Sequence, residues 1–147
     1  MAKDFEFIEH TADIKIKVYG SSLKGLFNNA LKALFQVTLP ISKNCSIRDG
    51  EEVCNSFTIK RKISVVSANL ESLLVDFLSE VLCMMDTYDE AYGDIVFSFL
   101  SEQEIVGTLK GVPFNKIGGE DIKAITYHEL SIEKNDEGWQ AIIVFDV

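Results

Sequence analysis

The apolar residues of this 147-residue chain change period four times, and that alternation restricts the fold more than any other feature of the sequence. Phe5 and Phe7 alternate with polar neighbours. After Glu9-His10-Thr11-Ala12, the residues Ile14, Ile16 and Val18 do the same, which predicts two strands with one buried face each. Gly20 ends the second strand and Ser21 or Ser22 offers a cap. Leu23, Leu26, Phe27, Ala30, Leu31, Leu34 and Phe35 then recur at three- and four-residue steps, predicting an amphipathic helix that ends before Pro40. Phe57, Ile59, Ile63 and Val65 return to strand spacing. Asn69 is placed to cap a second helix, with Leu70, Leu73, Leu74, Phe77, Leu78, Val81, Leu82 and Met85 as its stripe. Strands are predicted again at Ile95–Phe99, Ile105–Leu109, Ile122–Ile132 and Trp139–Phe145, the last two as a hairpin across Asn135-Asp136-Glu137-Gly138. Two one-sided helices and about seven one-sided strands imply a single α+β domain over residues 1–147, its helices packed on a largely antiparallel sheet. The polar segment 41–56 reads as a loop or irregular link, Gly118-Gly119 as a flexible turn, and Lys60-Arg61-Lys62 as a solvated strand or turn.

Composition narrows the function. Against 14 Lys and Arg stand 23 Asp and Glu, a formal charge of −9 that repels phosphate backbones at long range and disfavours direct nucleic-acid binding as the main activity. Cys45, Cys54 and Cys83 form no C-x-x-C pair. Neither a disulfide framework nor a thiolate zinc site is expected, a reducing cytoplasm fits, and Cys83 reads as buried in the second helix. No secretory signal precedes the first strand, and no apolar run approaches the roughly 20 residues needed to span a bilayer, so a soluble cytoplasmic protein without membrane partners is expected. The G-x-S-x-G, G-x-G-x-x-G and G-x-x-x-x-G-K-[ST] patterns are absent, which removes the usual hydrolase and nucleotide-binding readings.

Two acidic residues stand apart. Asp13 opens the second predicted strand and Asp146 closes the last, one residue before Val147. If those strands run antiparallel side by side, Asp13, Asp146 and the carboxylate of Val147 converge, and hard oxygen donors so placed suit a divalent cation. Spacing alone leaves a second reading open, in which Asp13 is a turn residue and Asp146 a solvated strand end. His10 either orders its turn or assists chemistry nearby. On the strand Ile122 to His128, Lys123, Ile125 and Tyr127 share one face and Ala124, Thr126 and His128 the other.

The opening Phe5-Glu6-Phe7-Ile8-Glu9-His10-Thr11-Ala12-Asp13, the centre Leu73-Leu74-Val75-Asp76-Phe77-Leu78, the strand Ile122 to His128 and the ending Val144-Phe145-Asp146-Val147 together resemble the archease family, in order and nearly end to end. The resemblance implies a cytosolic protein that is not itself an enzyme. Such a protein activates the GTP-dependent RNA-splicing ligase, which joins RNA ends through a guanylated histidine. It also implies a divalent cation, calcium first with magnesium or manganese as alternatives, at Asp13, Asp146 and Val147. Lys123 matches a functional lysine of the family, and His10, Thr126 and His128 are carried over as partner contacts or site support. The alternative within the family is a chaperone or specificity modulator of another RNA-processing enzyme, such as a tRNA methyltransferase. A metal-dependent hydrolase ranks third, because no general base or substrate pocket is evident. The segments 41–56 and 111–121 depart from the family pattern.

Overall fold

The structure is a computed structural model and describes residues 3–10 and 13–147, the side chains of Glu9 and His10 excepted. In chain order the elements are β1 (Phe5–His10), β2 (Asp13–Gly20), α1 (Leu23–Thr38), β3 (Pro40–Ile41), β4 (Cys45–Arg48), β5 (Glu51–Cys54), β6 (Ile59–Val66), α2 (Leu70–Tyr88), β7 (Glu90–Leu100), β8 (Glu104–Pro113), β9 (Lys116–Ile117), β10 (Ala124–Asn135) and β11 (Gly138–Asp146). Seven strands make the two principal sheets, ordered β1-β2-β11-β10 and β6-β8-β7, and every pairing is antiparallel. These are the seven that alternation predicts. The other four strands form the ribbons β3-β9 and β4-β5, and with two to four residues each they are too short to display a period.

α1 packs against β2 of one sheet and β7 of the other, while α2 packs against β10 and the three-stranded sheet. The helices therefore join both sheets to one core, in which Phe27 of α1 meets Phe77 of α2 at 5.8 Å between ring centroids, both fully buried. Ser22 caps α1 by accepting from the Gly25 N–H. Asn69 and Ser72 cap α2 reciprocally: the Asn69 Oδ1 accepts from the Ser72 N–H at 2.9 Å, and the Asn69 N–H donates to the Ser72 Oγ. Asn69→Ala is expected to lower stability by about 1 kcal/mol, read as a shift in the denaturant midpoint. No helix among the described residues is long and apolar enough to cross a membrane.

Several local expectations are corrected. Cys45 and Cys54 are bonded to each other across the end rung of β4 and β5, with 3.9 Å between their Cα atoms. The turn at Asp49 and Gly50, both at positive φ, folds the segment read as a loop into a hairpin and brings the two thiols together. The sparse-cysteine argument for a reducing compartment loses its basis with that bond. Cys83 is exposed, on the solvent side of α2. Gly118 and Gly119 are held rather than flexible: their N–H groups donate to the Leu39 and Thr38 carbonyls, and a Cβ on Gly119 would lie 2.3 Å from the Val37 carbonyl oxygen. Arg61 is drawn out of its solvated run by Glu90, a buried carboxylate that it grips with two hydrogen bonds of 2.9 and 3.1 Å while stacking on Tyr88. That grip, joined by the Tyr92 hydroxyl donating to Glu90, holds the Glu90 carboxyl below the usual carboxylate range.

Candidate functional site

β2 and β11 are neighbours in the four-stranded sheet, and their register ends on the rung Asp13↔Asp146. One rung inward, Ile14 and Phe145 face each other within the core. Alternation therefore turns both aspartates to the opposite, outer face, where directly opposed residues of an antiparallel pair stand about 5 Å apart at Cβ. Neither carboxylate has a hydrogen bond or ion pair to another described residue. Two like charges on one rung repel, and a cation between them relieves the repulsion. Among the described residues no three His, Cys, Asp or Glu side chains group as a metal cluster, so these two carboxylates are the side-chain donors the rung supplies.

The other expected residues fall around this rung unevenly. The Lys123 N–H donates to the Asp146 carbonyl at 2.7 Å, which pins the start of β10 beside the end of β11. Ala124 opposes Asp146 and Thr126 opposes Val144, so both lie on the outer face with the aspartates. Beyond Thr126 the expected alternation fails. The next paired residue is Ser131, opposite Ile142, so residues 127–130 arch out where the partner strand has only Ile143. Tyr127 and His128 are exposed on this arch instead of sitting in two facing rows. Glu129, at φ 58°, reaches across β11 to Lys15 of β2 at 3.1 Å. Lys15 is thus engaged by Glu129 and not by the aspartate rung. The role read for the His10 side chain lies outside the described residues.

The arch and its ion pair escaped sequence reading, although a signal exists. Ile125 and Ile132 both meet core-facing partners, Phe145 and Ala141, yet they are seven residues apart while those partners are four apart. An odd separation between two residues of one face requires a bulge.

A model of the Archease protein family (MTH1598/TM1083) matches residues 5–147. The chain belongs to the archease family. It is 36% identical to the protein archease of Methanosarcina acetivorans, over 99% of this chain and 97% of that one. It is 35% identical to that of Pyrococcus abyssi, over 99% of each. The solution structure of Methanobacterium thermoautotrophicum protein 1598 superposes with a TM-score of 0.73 at 26% identity, covering 98% of this chain and 99% of that one. The crystal structure of an archease, possible chaperone, from Thermotoga maritima shares the fold with a TM-score of 0.66 at 23% identity, covering 100% and 98%. Archease membership covers both ends of the chain, the two ends that the Asp13↔Asp146 rung joins.

Proposed function

We propose that this archease activates the GTP-dependent RNA-splicing ligase, promoting its guanylation and multiple turnover while making and breaking no bond itself. The observation that supports the reading is the Asp13↔Asp146 rung, two carboxylates without a partner among the described residues, at one end of two adjoining strands from opposite ends of the sequence. Asp13, Asp146 and the carboxylate of Val147 would hold a divalent cation, calcium by preference, with magnesium or manganese as substitutes. When bound, the cation neutralises the rung and offers a Lewis-acidic point to a partner's oxygen. Lys123, held beside the rung, presents a positive charge to the ligase, and Thr126 and His128 add hydrogen-bonding groups at the same edge. Activation is then a population shift: the tip binds the guanylation-ready arrangement of the ligase more tightly than the resting one.

The test is ligase guanylation with GTP and divalent metal, with and without substoichiometric archease, using Asp13→Ala and Asp146→Ala as paired variants. Wild type is expected to raise the rate and both variants to leave it at the level of the ligase alone. Because each variant removes a like-charge neighbour, its thermal midpoint should equal or exceed that of wild type, which separates lost function from lost fold. Full stimulation by a folded Asp13→Ala chain would sink the proposal. Absence of stimulation by wild type with a matched ligase would move the modulator of another RNA-processing enzyme to the front.

A further inference from the structure

Away from the aspartate rung, the β4–β5 hairpin combines three features that neither its sheet pairing nor the proposed activity explains. Among the described residues it pairs with no other strand. It is closed by the Cys45–Cys54 disulfide at its base and by the Asp49-Gly50 turn at its tip, four rungs away. Its strand β5, through Glu51–Cys54, forms one wall of a cavity of about 750 Å³, with Phe35, Phe57, Gly93 and Asp94 on the body of the domain.

Among the described residues, one polar clamp seats the hairpin. The Gln36 side chain of α1 donates to the Glu52 carbonyl at 2.9 Å and accepts from the Glu52 N–H at 2.8 Å. Against this clamp works the Glu52 carboxyl, more than nine-tenths buried with its Oε2 unpartnered, which gains solvation whenever the hairpin lifts. Ile47, opposite Glu52, and Val53, on the other face, are both exposed and contribute little adhesion. The disulfide joins β4 to β5 and so limits how far the hairpin can unfold from this seat, where the clamp and the buried carboxyl partly cancel. Both cysteines are half-buried, not sealed in the core, so an attacking thiolate has an approach.

We propose that Cys45–Cys54 is a redox-modification site, reduced by a dithiol, and that its state sets whether the β4–β5 hairpin covers or opens the cavity beneath it. A thiolate of the dithiol attacks one sulfur, the Cys45–Cys54 bond breaks, and a mixed disulfide forms. The second thiol of the reductant then displaces the protein sulfur. Two electrons and two protons pass to the protein, which holds two thiols, and the reductant leaves as its own disulfide. With a sequence separation of 9 between the cysteines, loss of the cross-link frees enough chain entropy to make opening about tenfold to a hundredfold more frequent. The oxidised form covers Phe35 and Phe57; the reduced form exposes them.

The experiment uses the full chain in a Cys83→Ser background, which removes the exposed third thiol. Backbone hydrogen exchange and thiol alkylation are followed by mass spectrometry after treatment with oxidised or reduced dithiothreitol. The oxidised chain is expected to resist alkylation and to exchange slowly over residues 44–55. The reduced chain should alkylate at both cysteines and exchange at least tenfold faster there, with the cores of α1 and α2 unchanged. A chain carrying Cys45→Ser and Cys54→Ser should exchange fast without reductant and ignore it. Three results would overturn the proposal: thiols that stay alkylatable after the oxidant, exchange over 44–55 that is the same in both states, or a double variant as protected as the oxidised chain.

Discussion

Phe77→Ala is expected to cost about 3–5 kcal/mol of unfolding free energy, the largest single loss in this domain. Phe77 is fully buried on α2 and packs on Phe27 of α1, at the point where the two helices join the sheets into one core. Removing the ring deletes apolar burial and leaves a void that rigid neighbours on several elements cannot close. For a chain of this size the thermal midpoint should fall by roughly 10 °C or more. Phe7→Ala, on an edge strand with its ring 58% exposed, should change stability by no more than about 0.5 kcal/mol. Denaturant titrations of both variants check the contrast, and a loss below about 1 kcal/mol for Phe77→Ala would contradict the shared core.

Glu52→Gln is expected to change how stability depends on pH more than any other surface or ribbon substitution. Burial pushes the Glu52 carboxyl from its ordinary value of 4.5 up to about 7. The folded chain therefore holds this proton more tightly than the unfolded chain. At pH below 4.5 the group is protonated in both states and carries no penalty. As pH rises from 4.5 to about 7 the unfolded state gives up the proton first, and stability falls by an amount on the order of 2 kcal/mol before levelling off. Glu52→Gln removes that fall, so at pH 8 the variant should be the more stable chain and near pH 4 the difference should vanish or reverse. Denaturant midpoints of the two chains at pH 4, 6 and 8 test it, and parallel profiles would refute it.

The seven principal strands and both helices were legible because each is long enough to repeat its period and each buries one face. Asn69 was legible as a cap because its short amide accepts from the first turn and it directly precedes the apolar stripe of α2. The β4–β5 hairpin was not legible, although Asp49-Gly50 is a strong turn signal, because its flanks are polar and Val53 stands exposed while Glu52 is buried. Burial there runs against polarity, and patterning cannot find such a strand. At the site, Asp13 and Asp146 were brought together on the sequence argument that their strands would neighbour, and the register places them on one rung. The flat strand expected over Lys123 to His128 was wrong past Thr126: the register shifts between Thr126 and Ser131, and the arch places Glu129 against Lys15, 114 positions away.

β11 is the last element of the chain and yet lies inside the four-stranded sheet, between β2 and β10. During synthesis β1 and β2 leave the ribosome early and can pair as a hairpin, but the free side of β2 has no native neighbour until residues 138–146 emerge. Until then the nascent chain presents an unpaired edge on the strand that carries Ile14, Ile16 and Val18, a template for pairing with other chains. Closure of this sheet is a late, long-range event, and slowing the release of the last strand should raise misassembly far more than slowing any earlier one.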